Sequence, residues 1–190
     1  RMNWITSNFY TFDNTKIAYR YRQPNTDTKK VLLVLHRGHE HSGRVEHIAD
    51  NIDPENTCWV FAFDMRGHGL SQGKRSWAKG FEDWIKDLDS FVMHLQNEFD
   101  CNIRETTIIA NSVGAVVATA WILQYGAKVK GCILAAPAFS IKLYIPFSLF
   151  FLRLAMCFSS TLFVKSYVRS SLLTRDKEQA KRYDADPLIT

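Results

Sequence analysis

Apolar residues follow two rhythms along this chain. Val31–Leu35, Cys58–Phe63, Thr106–Ala110 and Gly131–Ala135 are short runs dominated by aliphatic and aromatic residues. Runs of that length and branching predict strands buried on both faces. From Phe81 to Phe99 the spacing changes: Phe81, Trp84, Ile85, Leu88, Val92, Leu95 and Phe99 recur every three or four positions. That predicts an amphipathic helix, with Asp83, Lys86, Asp87 and Asn97 on the opposite face. Val113–Tyr125 is small and apolar, as a helix pressed against a sheet would be, and a short helix is predicted over Gly43–Asn51. Ahead of these elements, Phe9–Thr11 and Ile17–Tyr21 flank the turn pair Asp13-Asn14 and predict an antiparallel hairpin. Strand and helix then alternate. The pattern specifies an α/β fold: a mostly parallel sheet with right-handed crossovers and helices on both faces, opened by an antiparallel edge.

The rhythm breaks after Pro137. Leu143–Phe158 is strongly apolar but interrupted by Pro146 and Arg153, and it is short of the roughly 20 residues that span a bilayer. A core helix, an interfacial segment and a cap over a pocket all fit; a cap is the choice here, because the segment leaves a strand end, where loops carry function. The expected organisation is 1–137 as the N-terminal part of the core, 138–185 as the cap region and 186–190 as the start of a return to the core.

With 190 residues, 46% apolar and 23% charged, the chain is sized for one ordinary globular domain. Its net charge of +5 is uneven: residues 138–190 hold eight Lys/Arg against four Asp/Glu. A segment both basic and apolar suits an anionic lipid surface better than a nucleic acid, and a solvated basic face fits equally well. Cys58, Cys101, Cys132 and Cys157 form no C-x-x-C pair and no zinc-spaced cluster. Buried, reduced thiols are expected, in a cytoplasmic protein with contact at a membrane surface as an option. Arg1–Asn14 has no apolar stretch of the secretory-leader kind.

The residues that suggest chemistry begin with Thr106–Ala110 and the following Asn111-Ser112-Val113-Gly114. A serine on a sharp bend between a buried strand and a helix has its hydroxyl lifted clear of the sheet. Such a bend strains the backbone and needs small residues two before and two after it, here Ala110 and Gly114. Ser112 is therefore the candidate nucleophile, with the Val113 N–H at a helix start facing a developing oxyanion. A second N–H is needed from the loop after the first parallel strand, His36-Arg37-Gly38-His39-Glu40-His41-Ser42-Gly43-Arg44. Gly38 is the candidate, since it offers an amide without a side chain. His36 and Glu40 are read as loop-bracing residues. No partner ligand pair accompanies the three histidines, so no metal is expected. In Asp64-Met65-Arg66-Gly67-His68-Gly69-Leu70-Ser71, Asp64 and Arg66 are read as tying down a tight glycine turn.

These three segments, in this order, resemble the monoglyceride lipase, lysophospholipase and serine aminopeptidase-like branch of the α/β-hydrolases. Asp186-Pro187-Leu188-Ile189 is similar to the motif that follows the cap in that branch. Ala110 stands where a glycine is usual. Arg37 and His39 depart from the commoner lipase loop and look closer to bacterial proteins in which such a hydrolase is joined to a methyltransferase domain, so a fused C-terminal domain in the parent protein is a further option. The resemblance implies an α/β-hydrolase fold and a serine esterase without a cofactor, which forms an acyl-enzyme on Ser112 from a lipid-like ester, with oxyanion amides at Gly38 and Val113. It also implies that the acid and the histidine follow the nucleophile, yet no histidine follows Ser112. The chain is accordingly expected to be a C-terminally truncated piece that lacks the triad Asp and His. Open alternatives are a catalytically incomplete hydrolase-fold module that only binds, and an acyltransferase on the same scaffold. An aminopeptidase would need a site for a charged N-terminus, and no acid lies between Ala138 and Arg175.

Overall fold

A computed structural model describes residues 3–140 and 170–189. Six strands form one sheet: β1 (Ile5–Tyr10), β2 (Lys16–Arg22), β3 (Val31–Leu35), β4 (Trp59–Phe63), β5 (Thr106–Asn111) and β6 (Gly131–Ala135). Their spatial order is β1-β2-β4-β3-β5-β6. The hairpin β1–β2 joins β4 antiparallel, and β4, β3, β5 and β6 run parallel to one another. The crossovers are α1 (Glu46–Ile52), α2 (Phe81–Phe99) and α3 (Val113–Tyr125), with a 3-10 turn at Ser42–Arg44 ahead of α1.

Strand alternation divides the core between the two faces of the sheet. Leu33, Leu35, Phe61, Phe63, Ile108 and Ala110 pack with Leu88, Phe91, Val117 and Trp121 of α2 and α3. Leu32, Val34, Val60, Ala62 and Ile109 pack with Ala49 of α1. β3 is buried at all five positions because it is central and covered twice.

Two expectations are corrected. Asp87, assigned to the polar face of α2, is fully buried; its partner is described below. The described cysteines are not uniformly buried: Cys101 is, Cys58 is partly exposed and Cys132 is exposed, while Cys157 lies outside the described residues. Cys132 lies on β6, the last strand of the described sheet, where one side of the strand has no neighbour among the described residues. The Cys58 thiol donates to Asp53 Oδ2 at 3.2 Å, and burial, reinforced by that carboxylate, pushes it up to about 12.

The chain divides into two compact units, Arg1–Ala138 with Pro187–Thr190, and Phe139–Asp186. In the second, α4 (Ser170–Leu173) and α5 (Lys177–Asp184) are described. Asp176 caps α5 by accepting from the N–H groups of Glu178 and Gln179. The apolar stretch Leu143–Phe158 lies outside the described residues. Among the described residues no helix is long and apolar enough to cross a membrane.

Candidate active site

Ser112 stands between β5 and α3 with φ 54° and ψ −115°. This is neither helix nor strand backbone, and a non-glycine residue there carries strain of about 1–3 kcal/mol. The bend is held by its neighbours. The Ser112 N–H donates to the Ala135 carbonyl on β6 at 2.9 Å, and the Ser112 carbonyl accepts from Val116 and Ala138, each at 3.3 Å. Behind it, Ala110 is fully buried and pairs in register with Leu35 and Leu134.

The loop after β3 is pressed onto the start of α3. A β-carbon on Gly114 would lie 2.5 Å from the His36 carbonyl oxygen and 3.1 Å from Leu35 Cβ, so only glycine fits there. One on Gly38 would lie 3.5 Å from Val113 Cγ2, ordinary contact distance, so Gly38 sits beside the residue that follows the serine. His36 is fully buried. Its Nε2 accepts from the Met65 N–H at 2.9 Å, so Nδ1 carries the hydrogen and donates to the Arg37 carbonyl at 2.7 Å. Burial pushes this imidazole below its ordinary value and keeps it neutral. Glu40 accepts from Arg37 Nη2 at 2.7 Å and from Arg44 Nε at 3.4 Å. His39 has φ 67°, a left-handed conformation that residues with a side chain seldom adopt.

This arrangement of strand, strained serine and glycine-bearing loop coincides with a family match. The family of serine aminopeptidases, S33, matches residues 26–190. The chain belongs to that family. It is 39% identical over 185 residues to the uncharacterized protein YnbC of Escherichia coli (strain K12), covering 96% of this chain and 31% of that protein. It is 25% identical to a monoacylglycerol lipase of Mycolicibacterium smegmatis, covering 92% of this chain and 61% of the relative. With the monoglyceride lipase of Homo sapiens the figures are 26%, 93% and 58%. The chain thus spans less than two thirds of the length of these relatives. The monoacylglycerol lipase structure from Paleococcus ferrophilus superimposes with a TM-score of 0.71 at 23% identity, covering all of this chain and 65% of that one. The fold is that of the α/β-hydrolases.

Asp64 and Arg66 hold the rim turn of this S33 chain through different partners. Asp64 does tie it down: Oδ1 accepts from the Ser42 N–H at 2.6 Å and Oδ2 from the Leu70 N–H at 2.8 Å, joining two loops through one buried carboxylate. Arg66 links the turn to elements outside it. It donates to Asp87 Oδ2 and Oδ1 at 2.9 and 2.7 Å and to Asp13 Oδ2 and Oδ1 at 2.7 and 3.0 Å. Two bidentate pairs thus tie the turn to α2 and to the tip of the β1–β2 hairpin. The guanidinium holds the Asp13 carboxyl well below the usual carboxylate range. Periodicity could not reveal Asp87 as buried, because its partner lies 21 positions earlier; an arginine in a buried turn was the only sign that some acid must meet it. His68 braces the same turn. It is buried, its Nδ1 donates to the Arg66 carbonyl at 3.1 Å, and burial pushes it down to about 4. Among the described residues no three His, Cys, Asp or Glu side chains are grouped to hold a metal ion.

Proposed function

We propose that this chain supplies the nucleophile and oxyanion half of a serine esterase acting on lipid-like carboxylic esters, of monoacylglycerol-lipase or lysophospholipase type. The reading is carried by the backbone of Ser112, strained at the strand–helix junction, with Gly38 lying against Val113. Ser112 Oγ attacks the ester carbonyl, and the N–H groups of Gly38 and Val113 hold the resulting oxyanion. Collapse of the tetrahedral intermediate expels the alcohol. Water then cleaves the acyl-serine, releasing the acid and restoring the hydroxyl. His36, Glu40 and Asp64 act as braces that hold the amide-bearing loop in place. Names of relatives favour this chemistry, among them the human monoglyceride lipase and a probable lysophospholipase L2 of Haemophilus influenzae.

The proposal requires a general base and its carboxylate partner, which in this fold follow the nucleophile. No histidine follows Ser112 in the sequence, so the proposal takes both from a part of the parent protein that these residues do not contain. Residues 138–185 are proposed as the cap over the acyl chain, and the basic, apolar character of 138–190 supports contact with an anionic membrane surface. The test is labelling by a fluorophosphonate in a protein extended to the length of the lipase relatives. Labelling lost in Ser112→Ala is expected; labelling that survives the substitution rejects the reading. Product analysis with water and with an added alcohol separates hydrolysis from acyl transfer.

A further inference from the structure

The loop after β4 holds apolar side chains out in solvent. Leu70 is 54% exposed, Trp77 46% and Phe81, at the start of α2, 39%. Single exposed apolar residues are ordinary on a protein surface; here three fall within twelve residues of one hydrogen-bonded segment. Within the segment itself the charge is of one sign, and Glu82 and Asp83 follow directly in the first turn of α2. No acidic residue lies between Asp64 and Glu82, whereas Lys74, Arg75 and Lys79 are all exposed.

The loop is also fixed. The Gly67 N–H donates to the Gln72 carbonyl and the Ser76 N–H to the Gly67 carbonyl, each at 3.0 Å. The Trp77 N–H donates to the Lys74 carbonyl at 3.0 Å, and the Gln72 N–H to the Lys16 carbonyl on β2 at 2.9 Å. Arg75 Nη1 donates to the Gly69 carbonyl at 2.9 Å. At Gly67, with φ 74°, a β-carbon would meet the Lys74 carbonyl at 2.5 Å and the Trp77 nitrogen at 3.2 Å. Because β3, β4 and β5 are parallel, this loop leaves the same carboxyl end of the sheet as Ser112 does.

We propose that the loop from Leu70 to Phe81 is a docking surface for an anionic lipid bilayer. Leu70, Trp77 and Phe81 would enter the interfacial layer while Lys74 and Lys79 meet the head groups. Tryptophan and aliphatic residues flanked by lysine and arginine are the chemistry of an interfacial anchor. Pre-ordering lowers the cost of binding, since the loop loses little further freedom on contact. Docking here would bring the serine-bearing end of the sheet to the surface that holds lipid esters; the inference rests on the esterase reading for that purpose alone.

The test is sedimentation of the intact chain with vesicles of phosphatidylcholine alone and of phosphatidylcholine mixed with phosphatidylglycerol. Binding to the mixed vesicles that weakens as salt is raised is expected. Lys74→Gln with Lys79→Gln lowers it about 25-fold at low salt, from about fivefold per lysine. Leu70→Ser with Phe81→Ser lowers it as well. Absence of binding to the anionic vesicles overturns the proposal, and so does binding that both double variants leave unchanged, since the contact then lies elsewhere. Loss in the lysine variant alone reduces the loop to a charged face and overturns insertion. Equally tight, salt-sensitive binding of a single-stranded oligonucleotide would assign the surface to nucleic acid instead. Vesicle binding does not use the nucleophile. Ser112→Ala should therefore bind vesicles normally, which separates a failure of docking from a failure of the esterase reading.

Discussion

The carbonyl oxygen of His36 stands 2.5 Å from where a β-carbon on Gly114 would sit. Loop and helix are thereby held at a separation that no other residue allows. Both groups are main chain or close to it, so neither can swing aside. Gly114→Ala is expected to cost at least the 1–3 kcal/mol typical of overpacking. It should also shift the loop bearing Gly38 away from Val113. Urea unfolding checks the first expectation. The second is read from the rate of fluorophosphonate labelling in the extended protein, which should fall more than the unfolded fraction explains.

Strain at Ser112 can be measured by removing its side chain in two steps. Ser112→Ala deletes the hydroxyl but keeps a β-carbon in the same backbone geometry, with φ 54° and ψ −115°. Ser112→Gly deletes both. Relief of strain is worth about 1–3 kcal/mol, offset by about 0.4–1 kcal/mol from the greater freedom of glycine in the unfolded chain. The glycine variant should therefore be the more stable of the two by about 1 kcal/mol in denaturant titrations. Equal stabilities would mean that the bend is not strained.

The elements legible in the sequence were those whose cause is local. Strands β3 and β6 and helices α2 and α3 have the limits that their apolar spacing predicts, because each buries a face defined by its own residues. The hairpin was found but shifted: β1 is Ile5–Tyr10, and the Thr11 hydroxyl instead donates to Asp13 Oδ1 in the turn. What escaped depended on partners distant in the chain. Asp87 looks like a surface residue until Arg66 is set beside it, and Cys132 looks like a core residue until β6 is found at the end of the described sheet. At the candidate site, Asn111-Ser112-Val113-Gly114 identified the bend. The fit of Gly114 under the His36 carbonyl is a relation between two segments that no single motif contains.

Acid should weaken the fold through His68. Burial lowers its folded-state value from the ordinary 6.5 to about 4. Between those values the unfolded chain binds a proton and the folded chain does not, so stability falls as pH is lowered through this window. The contribution is complete above pH 6.5 and lost below about pH 4. A shift of this size corresponds to about 3 kcal/mol, and buried His36, lowered in the same sense, adds to it. His68→Asn keeps a side-chain N–H that can reach the Arg66 carbonyl but removes the titration. Its denaturation midpoint should vary less between pH 6.5 and 4 than that of the parent chain. An unchanged slope would assign the acid sensitivity to other groups.

Arg66 joins two carboxylates of unequal burial, and the inequality ranks three substitutions. Asp87 is fully buried, while the Asp13 side chain is 37% exposed. Arg66→Met leaves the Asp87 carboxylate buried without a cation, a change that typically costs about 3–5 kcal/mol. Asp13→Asn removes a pair that water partly replaces and should cost about 1 kcal/mol or less. Arg66→Met combined with Asp87→Leu removes the stranded charge together with its partner. It should therefore be more stable than Arg66→Met alone, although a residue has been lost from the network. Urea unfolding of the single and double variants gives the coupling directly. If the double variant is as unstable as the sum of its parts, the two groups act independently. Arg66 would then hold the turn by its packing under Phe12, whose ring centroid lies 5.5 Å from the guanidinium carbon, and not by charge.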